Sequence, residues 1–470
     1  MMTPQKYLRG LLVCVLAAGL TGCGSSGMSG SVFLAGTDAP LPSIISFRVQ
    51  ISNVTLSNGS GAPISIVSGP QTVDFARFNG LKTLLDFSAI PAGTYTTVNV
   101  SLANPVLTYL NTSQAGAPPT ISNVPNPSLV NSNLTILLPT PLTITAGRNI
   151  GLQMDFNLHN SIQTDSNGQV TGLVNPNISF TVLTPGTPDA EIDEFNASVV
   201  SVNASSNSFI AQDVHGRQYT VQVSSATEWE NNNTINSLVP NQTIVTLSGQ
   251  FDVSSQTLEA SDIAILSQHG FYAGGLVTYV NPASGPASNF NMYVRGVLPT
   301  DTGITPGQIA NVQLTGNEEF YIFRRHTPFT QFFFNPSMMV PGQHVTIGGP
   351  ASGAQNVQNI LTDRVVLQPG GFSGTVVPGS VHANDDSFQM NANGIKGVLF
   401  NGPITVYVVP DITKFRYGFN GLSDLEAAGG ASVRVVGFVL KNPDTGSPII
   451  LGKFVDDKEA VDIRDAQAGS

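Results

Sequence analysis

The sequence predicts an all-β protein in which an N-terminal β-sandwich is followed by three small β-barrel or sandwich repeats. Charged residues make up 10% of the 470 residues, whereas about a quarter is usual in soluble proteins. The 47 glycines and 31 prolines favour turns and oppose long helices. Apolar and polar residues alternate in several segments, as at Phe47, Val49 and Ile51. This period of two is typical of a strand with one buried face.

The first element is an export signal. Lys6 and Arg9 form a short basic head, and an apolar stretch of about ten residues follows. The stretch is too short for a membrane span. It ends at residues 20–23, Leu-Thr-Gly-Cys, which resemble the cleavage site of bacterial lipoprotein signals. The resemblance implies that residues 1–22 are removed and that Cys23 is lipidated. An ordinary signal peptide is the alternative.

Export has consequences for chemistry and for partners. The other cysteine, Cys14, lies inside the signal, so no disulfide or catalytic thiol is expected in the mature chain. Loss of the two basic signal residues changes the formal net charge from −11 to −13, which argues against a nucleic acid partner. Gly24 follows Cys23, and by resemblance to lipoprotein sorting this favours the outer membrane. The expected partners are the membrane, through the lipid, and a polysaccharide or envelope protein; no cofactor is expected.

The remaining chain divides by composition and pattern. Residues 23–30 are rich in Gly and Ser and predict a flexible tether. Residues 31–184 contain short alternating strands between turn clusters, as in an antiparallel β-sandwich. Two prolines within residues 184–189 indicate a linker. Three degenerate β repeats are then predicted at residues 192–268, 271–369 and 372–464.

The repeats share two sequence features. Each opens with a small residue before a β-branched strand, and each contains a later apolar strand that ends near a glycine. These closing glycines are Gly249, Gly348 and Gly437. The spans differ, so the second and third copies are expected to carry insertions. The one helix expected lies at Ser423–Ala428, where Ser423 and Glu426 have the spacing of a capping box.

Short motifs carry resemblances to two families. The N-terminal part resembles the bacterial lipoprotein domain called domain of unknown function 4382, through residues 36–40, 91–95 and 142–147. The first repeat, residues 192–267, is similar to domain of unknown function 5666, through residues 199–202, Phe209, 227–229 and 244–249. The later repeats are similar to it more weakly. These resemblances imply β architecture and an envelope location, and they transfer no catalytic residue.

Catalytic and metal-binding motifs are weak. The six histidines lie far apart without zinc-ligand spacing, and no Gly-x-Ser-x-Gly motif is present. Residues 165–168 begin like a calcium loop, but the glutamate expected later is missing. The sequence therefore predicts no catalytic residue and no metal ligand. A carboxylate-based glycan hydrolase assembled across domains is an alternative, because such carboxylate pairs form in space.

The densest unusual segment is Phe320–Phe334, which holds seven aromatic residues around two arginines. Because alternate strand positions face opposite ways, these rings cannot all enter one small core. The segment predicts an exposed surface that binds sugar rings or a partner protein. Its assigned ligand-binding residues are Arg324, Arg325, Phe329 and Phe332. Packing between adjacent repeats is the alternative.

The function expected from the sequence is non-catalytic. A lipid-anchored envelope protein of this composition would bind a glycan or protein ligand, or act as a scaffold, through loops on rigid β frames. Besides the glycan hydrolase, a structural spacer that holds a partner away from the membrane is a further alternative.

Overall fold

The computed structural model describes residues 29–39, 44–78, 80–111, 118–166, 170–268, 270–299, 302–323, 334–354, 356–393, 399–400 and 402–457. Strands make up 58% of the structure and helices 8%, with no long helix. The predicted all-β fold class, with sandwich and barrel units, is confirmed. In these ranges no helix has the length and hydropathy needed to cross a membrane.

The N-terminal unit, here called the sandwich, consists of two facing sheets and a small third sheet. Its elements are β1 Ser29–Ala39, β2 Ile44–Ser57, β3 Ile64–Ser65, β4 Gln71–Asp74, β5 Thr83–Pro91, β6 Gly93–Asn111, β7 Thr120–Asn123, β8 Ser128–Leu129, β9 Asn133–Ile144, β10 Asn149–Asn157, α1 Leu158–Ser161, β11 Ile162–Thr164, β12 Val170–Val174 and β13 Ile178–Leu183. One sheet has the order β13-β10-β1-β5, and the other has the order β3-β2-β6-β7, with β4 beside β2 and β9 beside β6. Strands β11, β12 and β8 form the third sheet.

Aromatic rings from both large sheets meet in the core of the sandwich. The ring centroids of Phe47, on β2, and Phe156, on β10, are 5.1 Å apart. Phe75 follows β4 and lies 5.0 Å from Phe156. All three side chains are fully buried, so these contacts hold the two sheets face to face.

Strand β1 is buried on both faces. Val32 and Leu34 point into the core of the sandwich. Phe33 and Ala35 point the other way, into a core that the sandwich shares with the next unit. There the ring of Phe33 stacks on Phe251 with centroids 5.1 Å apart. The apolar run Val32–Ala35 in β1 follows from this double burial.

The next unit, barrel 1, is a small closed barrel. Its strands are β14 Ile192–Asn203, β15 Ser208–Gln212, β16 Gln218–Gln222, β17 Glu228–Trp229, β18 Ile244–Phe251 and β19 Thr257–Ser267. The pairing runs β14-β15-β16-β19-β18 and returns to β14, and only the β16–β19 step within this ring is parallel. Strand β17 lies outside the ring and pairs in parallel with β19.

Two further units, barrel 2 and barrel 3, repeat this pairing order. Barrel 2 contains β20 Gly270–Asn281, β21 Asn289–Leu298, β22 Ile309–Gln313, β23 Glu319–Ile322, β24 His344–Pro350, β25 Ile360–Leu361 and β26 Arg364–Gln368. Barrel 3 contains β27 Gly370–Val376, β28 Ser387–Ala392, β29 Ile404–Val408, β30 Lys414–Arg416, α2 Leu422–Ala427, β31 Ser432–Lys441 and β32 Pro448–Asp457. In barrel 2 the last strand of the order is interrupted, so β25 and β26 together occupy the place of β19. In barrel 3, β32 occupies that place without interruption.

Two of the closing glycines occupy the same structural position. A Cβ on Gly249 would lie 2.1 Å from the carbonyl oxygen of Glu259, and one on Gly437 would lie 2.2 Å from that of Leu451. The strand register shifts at both glycines. Such an irregularity brings the neighbouring backbone too close for a side chain, which explains why glycine recurs there.

Helices are confined to short turns. Single 3-10 turns occur at Phe75–Arg77, Pro188–Ala190, Ala204–Ser206, Glu230–Asn232, Ile235–Ser237, Pro336–Met338 and Ala351–Ala354. Helix α2 begins one residue before the position expected from the sequence, and Gly421 is its N-cap without a side-chain hydrogen bond. The expected capping box is therefore wrong. Asp424 instead accepts hydrogen bonds of 2.8 and 3.0 Å from the backbone nitrogen and Nδ2 of Asn420.

Candidate functional site

The site residues predicted from the sequence lie outside the described residues. This applies to Cys23 and to Arg324, Arg325, Phe329 and Phe332. Their assignments to lipidation and to ligand binding therefore stay predictions.

The ends of the aromatic segment do belong to the described chain, and they pack inward. Phe323 is fully buried, and Phe334 is 5% exposed. The rings of Phe320 and Phe334 meet edge to face with centroids 5.4 Å apart. Tyr321 donates a 2.5 Å hydrogen bond to the carbonyl oxygen of Ile265 in barrel 1. At both ends of the segment, the aromatic residues thus stabilise barrel 2 and its contact with barrel 1.

A cavity of about 730 Å³ lies where the sandwich, barrel 1 and barrel 2 meet. This volume falls in the range of small-molecule sites. Its charged wall residues are Arg48, Asp74, Arg77, Asp213, Arg217 and Arg295. Four of the chain's 19 lysines and arginines thus line one cavity. A smaller cavity of about 190 Å³ also has four lysines and arginines in its wall, so the larger volume, together with the four arginines, makes this cavity the leading candidate site.

Two arginines cross the boundary between the sandwich and barrel 2 in opposite directions. Arg48, on β2, donates a 2.9 Å hydrogen bond from Nη1 to the carbonyl oxygen of Pro306. Arg295, on β21, donates a 2.8 Å hydrogen bond from Nη2 to the carbonyl oxygen of Ile45. One Nη of each guanidinium therefore forms a hydrogen bond that holds the side chain against the opposite unit.

A third arginine, Arg77, is held more loosely. Its Nη2 lies 4.0 Å from Oε2 of Glu194, at the start of barrel 1, and its side chain is 17% exposed. Asn196 donates through Nδ2 to Oε1 of Glu194 at 2.7 Å and to the hydroxyl of Tyr272 at 2.9 Å. Burial raises the pKa of Glu194, but Arg77 and its other neighbours outweigh burial and hold that pKa below its usual value. Glu194 is thus a carboxylate that links the three units.

Arg217 differs because carboxylates surround it. Its Nη1 lies 2.9 Å from Asp86 Oδ2, and its Nη2 lies 2.6 Å from Asp213 Oδ2. Burial lowers the pKa of Arg217, but Tyr219 and these two carboxylates outweigh burial and raise it above its usual value. Asp86 also accepts from the backbone nitrogen and hydroxyl of Ser68 at 2.6 and 2.9 Å. Arg217 therefore links barrel 1 to the sandwich through its ion pair with Asp86.

The other three guanidiniums have unused hydrogen-bonding capacity. Among the described residues, Nε of Arg48, Arg77 and Arg295 and Nε2 of Gln71 have no hydrogen-bond partner. Burial lowers the pKa of Arg295, and the nearby Asp74 opposes this only in part. Asp74 itself accepts from Ser46 Oγ at 2.9 Å and from the backbone nitrogen of Phe47 at 3.0 Å. The cavity wall is thus rich in donors, while its carboxylates are occupied by protein groups.

Sequence reasoning missed this cavity because its residues form no local motif. The four arginines come from β2, from the turn after β4, from the β15–β16 turn and from β21. The available signal was that arginines are scarce in this chain and that two of these four, Arg48 and Arg295, lie inside strands. In the described part of the chain, no group of three or more His, Cys, Asp or Glu residues could hold a metal ion.

Comparison with known families places the N-terminal unit. The family model described as Domain of unknown function (DUF4382) matches residues 29–171. This range covers most of the sandwich, so the resemblance predicted for the N-terminal part is confirmed for that unit. The similarity of the barrels to domain of unknown function 5666 stays a prediction. No curated protein matches the chain.

Proposed function

We propose that this chain is a lipid-anchored protein of the bacterial envelope that binds a small ligand, without catalysis, in the cavity between the sandwich, barrel 1 and barrel 2. The observation that carries the proposal is the cavity of about 730 Å³ with four arginines in its wall. Three units contribute to this wall. Clefts at domain interfaces are preferred positions for small-molecule sites.

Binding without hydrolysis is favoured by the state of the carboxylates. A glycan hydrolase needs one carboxyl that donates a proton and a second that faces it across the substrate. Asp213 accepts from Nε of Arg217 at 2.7 Å and from two backbone nitrogens. Asp74 accepts from Ser46 and Phe47. Because protein donors occupy both carboxylates, these groups suit structural roles better than acid catalysis.

The envelope location rests on the sequence at Cys23. The first described strand begins at Ser29, six residues further on (29 − 23 = 6). A chain of that length spans at most about 20 Å. A lipid at Cys23 would therefore hold the sandwich close to the membrane, and Gly24 favours the outer membrane. The polysaccharides and proteins of the envelope would then be the nearest sources of a ligand.

The experiment uses residues 24–470, which contain every described strand, produced without lipid. Thermal unfolding is followed across neutral and acidic oligosaccharides and peptidoglycan fragments. A ligand at a hundred times its Kd should stabilise the protein by about 2.7 kcal/mol, which raises Tm by a few degrees. No shift with any compound would overturn the binding proposal.

A cavity-filling variant locates the binding site. Gly296 lies in the cavity wall, and a Cβ there would be 3.4 Å from the hydroxyl of Tyr272 and 3.8 Å from Nη1 of Arg77. The Cβ of a leucine fits at this position, and its remaining carbons reduce the volume of the cavity. The Gly296→Leu variant should fold and lose the ligand-induced shift. A shift retained in this variant would place the ligand elsewhere.

A further inference from the structure

We infer that the ligand of this cavity carries an oxyanion, such as a carboxylate, sulfate ester or phosphate, and that Arg48, Arg77 and Arg295 bind it. This inference rests on the proposed function and names the chemical class of the ligand. It follows from the balance of donors and acceptors in the cavity wall.

The three arginines approach the cavity from two different units. Arg48 and Arg77 belong to the sandwich, whereas Arg295 belongs to barrel 2. A guanidinium has five N–H donors. Arg48 uses Nη1 and Arg295 uses Nη2 for one backbone carbonyl each, and Arg77 has only the 4.0 Å contact with Glu194 as an ion pair among the described residues. One Nη of each arginine thus remains for a ligand.

The unpaired Nε atoms increase the need for a counter-charge. These atoms are shielded from solvent, so they are not themselves contacts for a ligand. A guanidinium that has lost water at Nε without gaining an acceptor is incompletely stabilised. An oxyanion at the Nη groups offsets this cost through charge-assisted hydrogen bonds. Burial lowers the pKa of Arg295, and the charge of the nearby Asp74 offsets this only in part.

In the described part of the chain, no carboxylate accepts a hydrogen bond from Arg48, Arg77 or Arg295. Asp213 is committed to Arg217, and Asp74 to Ser46 and Phe47. Glu194 reaches Arg77 only at 4.0 Å. The remaining wall therefore offers donors, and the complementary ligand offers acceptors. Planar guanidinium groups match carboxylate, sulfate and phosphate oxygens in particular.

The apolar part of the cavity wall indicates the chemistry of the rest of the ligand. Its larger apolar residues include Phe78, Leu84, Leu85, Phe195, Leu298 and Ile304. A surface of this kind packs against the carbon faces of a sugar or another compact body. Together with the arginines it fits a short acidic saccharide better than a free inorganic ion.

The test compares matched saccharides by isothermal titration calorimetry with residues 24–470. The probes are trigalacturonate, a sulfated trisaccharide, a sugar phosphate and the neutral galactose trisaccharide. At least one anionic probe should bind, more tightly than the neutral one and less tightly as salt increases. Arg48→Gln and Arg77→Gln should each weaken this binding about tenfold or more. Arg48→Lys should recover part of the loss, because it keeps the charge.

The control is Arg148→Gln, which makes the same charge change at an exposed position outside the cavity. It should leave the Kd unchanged. Equal binding of the neutral and anionic probes, lost in Gly296→Leu but kept in Arg48→Gln and Arg77→Gln, would overturn the oxyanion inference and leave the binding function standing. Absence of binding by every probe would overturn both.

Discussion

The guanidinium of Arg295 in barrel 2 donates a 2.8 Å hydrogen bond to the carbonyl oxygen of Ile45 in the sandwich, 250 residues earlier in the chain. The register of β2 against β6 shifts between Ile44 and Ser46. Ile45 is thus the extra residue of a bulge, whose carbonyl is free to accept a bond from outside the sheet. An irregularity in one unit thereby becomes an attachment point for another.

Replacing Arg295 by methionine should weaken this attachment. The variant keeps the aliphatic part of the side chain but leaves the carbonyl of Ile45 without its donor, which costs about 1–3 kcal/mol. We expect a lower Tm in calorimetry, whereas the exposed control Arg148→Met should match the parent protein. An unchanged Tm for Arg295→Met would show that the bond does not stabilise the interface.

Barrel 3 depends on one buried carboxylate. Asp456 is fully buried and accepts from Arg416 at 2.7 and 2.9 Å and from Arg434 at 3.1 and 2.9 Å. Asp456→Asn leaves two guanidiniums without their anion, and such a loss typically costs about 3–5 kcal/mol. Urea unfolding should show this destabilisation, and the exposed control Asp444→Asn should show none. A loss below about 1 kcal/mol would contradict the assigned role.

The closing glycine of barrel 1 allows a steric prediction. In Gly249→Ala the new Cβ would lie 2.1 Å from the carbonyl oxygen of Glu259, so the two strands must separate. We expect a loss of about 1–3 kcal/mol in urea unfolding. Gly69→Ala is the matched control, since its Cβ would have no neighbour within 4 Å. Equal stability of the two variants would rule out the steric explanation.

The strands were predictable from sequence because their pattern is local. Phe47, Val49 and Ile51 alternate with polar residues, and all three are fully buried. The same pattern concealed the candidate site. Arg48 occupies a polar position of β2, which a sequence pattern assigns to solvent, whereas the structure places it in a cavity wall. Only the packing of whole units decides which polar face becomes an interface.

The many aromatic residues of the segment Phe320–Phe334 were an ambiguous signal, because the packing of whole units again decides which surface they contact. Tyr321 lies on β23 and Phe323 directly follows this strand, where barrel 2 meets barrel 1. A sequence with too many rings for one core predicts a second contact surface. For these two residues, that second surface is another unit of the same chain. The capping box failed differently, since Gly421 starts α2 without a side-chain bond.

If Cys23 is lipidated, the variants Cys23→Ala and Cys14→Ala should differ in fatty acid labelling and in membrane attachment. In a bacterial host fed a labelled fatty acid, the parent protein should carry label and require detergent for extraction. Cys23→Ala should lose the label, because no other thiol remains in the mature chain. Cys14→Ala, inside the proposed signal, should keep both label and anchoring. Label retained in Cys23→Ala would refute the proposed anchor.

Asp262 should make the stability of the protein depend on pH. This fully buried residue of β19 accepts a 2.7 Å hydrogen bond from Ser248 Oγ. Burial raises the pKa of Asp262 to about 7; Ser248 and Lys453 oppose the shift, and Glu228 and Glu191 add to it. In the unfolded chain the pKa of an aspartate is about 3.9. Between these values the folded state holds one proton more than the unfolded state.

The free energy of unfolding should therefore fall as pH rises from about 4 to about 7. Above the folded pKa, the stability that the protonated carboxyl of Asp262 contributes should be lost. Asp262→Asn keeps a neutral side chain of the same shape at every pH. The Tm of this variant relative to the parent should consequently rise between pH 5 and pH 8, while the difference for Asp444→Asn stays constant. If the Tm difference for Asp262→Asn stays constant or falls instead, the carboxyl is ionised throughout this range, and its charge is balanced within the fold.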